Sequence, residues 1–222
     1  MYDTNCDELR YGIDKLRRHV RLIVLLNAAE NAGLTPFPII QLHTFAYLSN
    51  VLSPVWDMPA LEGKVLKRRG SPFYPALQHD VDRLVGMGVI LVSNISHVLD
   101  EDQRWRLKCS YNLNHPFADP ILKCIKEFET ERKALNFIQE LAYALSALSA
   151  DDLGRATSED ATYADPIIDF DNVVDFAEWE IENFSANAAQ YFGHLFPDQM
   201  TATPGELLHL YVHHLHSRLR ND

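Results

Sequence analysis

KVLKRRGSPFYPALQHDVDRLVGMGVI, residues 64–90, contains a basic run, a break and an amphipathic segment in immediate succession. Lys64, Lys67, Arg68 and Arg69 crowd four cations together, and Gly70, Ser71 and Pro72 interrupt the chain. Ser71 before Pro72 is an N-cap signal, with proline at the first helical position, where its missing N–H costs nothing. Pro75 falls in the same first turn, and Leu77, Val81, Leu84 and Val85 then recur at helical spacing. The pattern predicts a helix over 72–86. Gly86 and Gly88 end it, and Val89-Ile90-Leu91-Val92 opens a strand. Further on, Trp105, Leu107 and Cys109 alternate with Arg104, Arg106 and Lys108, a strand apolar on one face and basic on the other. Helix, strand, turn, strand is the back half of a winged helix-turn-helix.

Outward from this stretch, residues 7–31 and 38–53 read as two preceding helices. The first carries a basic face of Arg17, Arg18 and Arg21, expected to be solvated. Phe45 and Tyr47 of the second are expected to serve packing. Residues 54–71 form a long connector anchored by Trp56, Met58 and Leu61, and a loop of that length in a compact unit usually has a task. The wing tip, 96–103, holds Asp100, Glu101 and Asp102, which would repel phosphates. The third helix also presents Asp80 and Asp82 beside Gln78, His79 and Arg83, a poor set for reading DNA.

After residue 113 the pattern is helical: 117–129, 130–149, a short helix opened by Ser149, a long amphipathic helix over 172–193, and a last one over 204–219. The fold class expected is mainly α with a small β-wing. A winged-helix domain over 1–113 precedes an acidic helical domain over 114–222.

Charge separates the halves. Residues 1–109 carry 13 Lys/Arg against 12 Asp/Glu, and residues 110–222 carry 7 against 19. The second half suits a basic protein partner and not a phosphate backbone, so any nucleic-acid contact is expected from the first. The eleven acidic residues between Asp151 and Glu182 lack the spacing of a calcium loop and read as a solvated face. His209, His213 and His216 share a face of the last helix. Without an H-E-x-x-H motif they fit a structural or partner-facing helix better than a metal site. Three cysteines without paired spacing, no signal-peptide pattern and no apolar run of membrane-spanning length predict a cytoplasmic protein that keeps clear of membranes.

No phosphate-binding loop, dinucleotide fingerprint, nucleophile elbow or C-x-x-C pair occurs. The expectation is a binding module, not an enzyme, with no cofactor and no metal. Its contact residues would be Lys64, Lys67, Arg68 and Arg69, next to a helix N-terminus that also attracts anions, together with Arg104, Arg106 and Lys108.

The combination LHTFAYL at 42–48 and LEGKVLKRRGSPFYPALQHDVDRLVGMGVI at 61–90 resembles the middle component of bacterial three-component systems built on an ABC/SMC-like ATPase. The small subunit of Lamassu-type anti-phage defence belongs to this class. Arg69–Leu77 is also similar, more distantly, to the SocA/Panacea antitoxin-like domain. The resemblance lies in residues 20–95 and implies a non-catalytic winged-helix subunit bridging an SMC-like ABC ATPase to an effector nuclease. The first half would then contact the ATPase or double-stranded DNA. A dimeric winged-helix transcriptional regulator and an antitoxin-like interaction module remain as alternatives.

Overall fold

Helix α2 (Ile39–Val51) is buried at every residue from Gln41 to Val51, the mark of a helix at the centre of a core. Gln41, Ser49 and Asn50 find partners for their polar side chains, whereas Thr44 Oγ1 is buried without a hydrogen bond among the described residues. Ser49 Oγ donates to the Ala46 carbonyl, Asn50 Nδ2 to Tyr74 Oη and Gln41 Nε2 to the Ala150 carbonyl. The computed structural model describes residues 4–60, 64–68, 71–99, 105–166, 169–170, 172–175, 182–197 and 201–221, without the side chains of 4–11, 106, 174, 175 and 221.

Around α2 the chain is mainly helical. Helix α1 (Thr4–Asn31) begins ahead of the predicted start and buries Leu22, Leu25, Leu26 and Ala29. Strand β1 (Phe37–Pro38) leads into α2. A tight 3-10 turn at Ser53–Trp56 and strands β2 (Lys64–Lys67) and β3 (Pro72–Phe73) follow. Helix α3 (Pro75–Gly86) then feeds a hairpin of β4 (Ile90–Leu99) and β5 (Trp105–Leu113). Gly88, at φ 74, makes the turn from α3 into β4 in a conformation that a Cβ would strain. Among the described residues five α-helices and a strand follow: α4 (His115–Ile125), α5 (Glu129–Leu145), α6 (Ala150–Arg155), β6 (Val173–Asp175), α7 (Phe184–Tyr191) and α8 (Pro204–Asn221). Two small antiparallel sheets result, ordered β1-β5-β4 and β3-β2-β6. No helix among the described residues is long and apolar enough to cross a membrane.

The boundary expected after residue 113 is not a break in packing. One buried cluster runs from Leu22 of α1 through Phe45 of α2 to Phe137 and Leu141 of α5 and Leu215 of α8. Helix α5 lies against both α1 and α8, which joins the two ends of the sequence.

Several predicted elements are corrected. The helix expected from Pro72 starts at Pro75, with Tyr74 as its cap and no capping side chain. Counted from Ser71, Pro75 would be the fourth helical residue and would owe the first intrahelical N–H bond, which it cannot make. The helix therefore starts where proline is harmless, and Pro72 joins an edge strand instead. The long helix expected over 172–193 is replaced at its start by β6, which pairs antiparallel with β2, Val174 opposite Val65. Adjacent β-branched valines favour that conformation, but the partner strand lies over 100 residues back in sequence and leaves no local trace. The connector over 54–71 is not a plain loop, since it supplies β2. Leu61 lies outside the described residues, while Trp56 and Met58 pack on the core as expected.

Candidate interaction surface

The basic run does not form one surface. Lys64 is exposed, opposite Asp175 in the β2–β6 register. Lys67 is only 3% exposed. Its Nζ donates to the Asp165 carbonyl at 2.9 Å and sits 5.5 Å from the Tyr163 ring centre and 5.3 Å from that of Phe170. Burial pulls its pKa below the ordinary lysine value, against the charges of Asp165 and Asp169. The Arg68 guanidinium stacks 3.9 Å over Phe73, while Tyr163 Oη donates to the Arg68 carbonyl at 2.6 Å and accepts its N–H at 3.0 Å. Lys67 meets the chain's own acidic half, so the external contact expected of it is corrected to an internal one. Arg69 and Arg104 lie outside the described residues.

Two further acidic expectations change. Asp80 is buried, not presented on α3: it accepts from Arg18 Nε at 2.7 Å and faces His19 Nε2 at 3.2 Å. This also removes Arg18 from a purely solvated face. Arg17, Arg18 and Arg21 border a groove of about 370 Å³ between α1 and α5 that also holds Asp14 and Glu131. Nor is the 151–182 stretch uniformly solvated. Asp160 is fully buried and accepts from Tyr47 Oη (2.7 Å), Tyr211 Oη (2.7 Å), Ser185 Oγ (2.8 Å) and the N–H groups of Thr162 and Tyr163. Burial first, and Asp160 next, raise both tyrosine pKa values well above the ordinary range. A carboxylate so saturated with donors and sealed from solvent ties α2, α7 and α8 together and has no lone pair directed at a ligand.

The histidines of α8 part company. His209 Nε2 lies 3.0 Å from Glu140 of α5, and His216 Nε2 lies 3.9 Å from Asp152 of α6. Among the described residues no three His, Cys, Asp or Glu side chains are grouped to hold a metal.

The remaining predicted cations sit on the β4–β5 hairpin, in the other sheet from β2. In its outer half Ser96 faces Lys108, His97 faces Leu107, Val98 faces Arg106 and Leu99 faces Trp105. Alternation therefore places Leu99, Trp105 and Leu107 on one face, with His97. That apolar face lies in solvent: Trp105 is 70% exposed, Leu107 54%, Leu99 43% and nearby Ile95 63%. Lys108 is exposed on the opposite side. Only at Cys109 does the strand enter the core. Among the described residues the outer hairpin is thus a two-stranded ribbon in solvent, with Ile95, Leu99, Trp105 and Leu107 on one face and Val98 and Lys108 on the other. The strict alternation was visible in sequence, but nothing in it told a buried face from an exposed one.

Comparison of the chain with family models, with curated proteins and with solved structures finds no match in any of the three.

Proposed function

We propose that this chain is a non-catalytic accessory module that acts by docking a partner protein on its β4–β5 hairpin. The carrying observation is the exposed apolar face of Ile95, Leu99, Trp105 and Leu107. Clustered large apolar side chains in solvent mark interaction sites, and tryptophan is the commonest anchor of such interfaces. The order α1-β1-α2-α3-β4-β5, with β1 and β4 flanking β5, supports a winged-helix scaffold in which this hairpin is the wing. The insertion carrying β2 and β3 between α2 and α3 is an elaboration of that scaffold. In the specific form suggested by the sequence resemblance, the partner is an SMC-like ABC ATPase, which the chain bridges to an effector nuclease.

The test is association of the purified chain with that ATPase before and after Trp105→Asp combined with Leu107→Asp. A loss of affinity of tenfold or more, with an unchanged melting temperature, supports docking on the hairpin. Undiminished association overturns it.

A regulator reading keeps one specific support. With Asp80 sequestered by Arg18 and His19, the outer face of α3 offers His79, Arg83 and a single aspartate, Asp82. Saturable binding of one duplex sequence by a dimer, weakening steeply with salt, would promote that reading over docking.

A further inference from the structure

The open edge of β5 points to how a partner engages the hairpin. We propose that residues Trp105–Lys108 accept a third, extended strand from the partner, one that alternates apolar and acidic residues. The proposal rests on the docking reading above and specifies its geometry.

Strand β5 is central in its sheet, yet β1 covers it only at Tyr111 and Ser110 before the chain turns into α2. Cys109 is buried, whereas Trp105, Leu107 and Lys108 are exposed. Among the described residues no strand continues the position of β1 along Trp105–Lys108, and none of them pairs with that edge of the ladder. A ribbon of two strands with neither face packed is marginal in water, and a third strand is the common remedy. The opposite edge is less receptive. Strand β4 shifts register between Ser93 and Ser96, with Asn94 at φ 54, and such a bulge interrupts ladder formation on an edge.

An incoming strand places its alternate side chains beside those of β5 on the same two faces. Apolar residues fall next to Trp105 and Leu107, and the intervening ones fall next to position 106 and Lys108. A lysine on an open edge discourages neutral strands, whereas a carboxylate beside it converts that deterrent into selectivity. Asp100, Glu101 and Asp102 come just before Trp105 in sequence, so the acidic match rests on Lys108 alone. A second copy of this chain is the poorer occupant, since two molecules each of net charge −11 repel one another.

The test uses the full-length chain and fluorescently labelled six-residue peptides with blocked ends. One peptide alternates valine with glutamate, a second alternates valine with lysine. Two further versions of the first are N-methylated at every second amide, one in each phase. Fluorescence anisotropy at about 0.15 M salt, where screening leaves only local charges effective, is expected to show saturable binding of the glutamate peptide. The lysine peptide should bind at least tenfold more weakly. One methylation phase should abolish binding and the other leave it nearly intact, because only one edge of an added strand bonds to β5. Lys108→Glu, checked for an unchanged melting temperature, should invert the charge preference. Absence of saturable binding, equal loss in both methylation phases, or self-association of the chain through the hairpin would each overturn the proposal. If Trp105→Asp with Leu107→Asp releases the partner protein while no peptide binds, docking stands and strand addition falls. If a peptide binds but those substitutions spare the partner, the reverse holds.

Discussion

His43 carries the clearest residue-scale consequence of burial. It sits inside the core on α2, where its Nδ1 accepts the Tyr74 N–H at 3.2 Å and its ring lies parallel to that of Tyr74 and tilted against Phe73. Burial lowers its pKa from 6.5 to about 4; the Arg68 charge adds to this, and Gln78 opposes it. The folded chain therefore refuses a proton that the unfolded chain binds between those values. Stability from this group should be level above pH 7, fall by about 3 kcal/mol between pH 6.5 and 4, and level off below. His214, lowered by burial, acts in the same direction; His115, raised by Asp119 and Glu30 but solvent-exposed, acts weakly in the opposite one. Urea midpoints from pH 4 to 8 for the native chain and His43→Gln should show a shallower slope in the variant; parallel slopes would refute this role. In sequence His43 is one residue in an apolar run. That its imidazole accepts from the backbone at the start of α3 depends on a contact 31 positions away.

At the scale of the element, β2 shows what a charge run can conceal. Lys64 and Lys67 lie three residues apart on one short strand, one outside and one inside. Lys67→Met should cost about 1–3 kcal/mol, because the Asp165 carbonyl loses its buried donor. Lys64→Met should change stability by less than about 0.5 kcal/mol, as exposed substitutions usually do. Urea denaturation of the two variants decides, and equal effects would contradict the burial of Lys67. Charge reversal at Lys67 would accordingly report on folding rather than on any partner, and Lys64 and Lys108 are the informative cations. Existence and type of α1, α3, α5, α8 and β5 were legible from their periodic patterns, and those of α2 and β4 from apolar runs bounded by proline or glycine. Strand β6 was not legible, since three residues paired with a distant strand have no period of their own.

The whole molecule is held by one core into which both sequence halves contribute. Phe137, Ile138 and Leu141 of α5 are fully buried, in the same cluster as Leu25 and Leu26 of α1. Severing the chain after Leu113 would expose such faces, at about 1.5–3 kcal/mol for each large apolar side chain uncovered, against a net stability of only about 5–15 kcal/mol. The fragment 1–113 should therefore show no cooperative melt by circular dichroism, while the full chain melts in one transition; a sharp transition in the fragment would restore two independent domains. Charge asymmetry suggested a division because it reports surface composition, and the shared core is apolar and carries no such signal. By itself the sequence determined the helical class, the β4–β5 hairpin and its alternating faces, since these follow from periodicity and turn residues within a few positions. Tertiary structure alone decided that Lys67, Asp80 and Asp160 are interior and that Trp105 and Leu107 are exterior. Burial depends on which distant segment covers a residue, and local pattern cannot encode that.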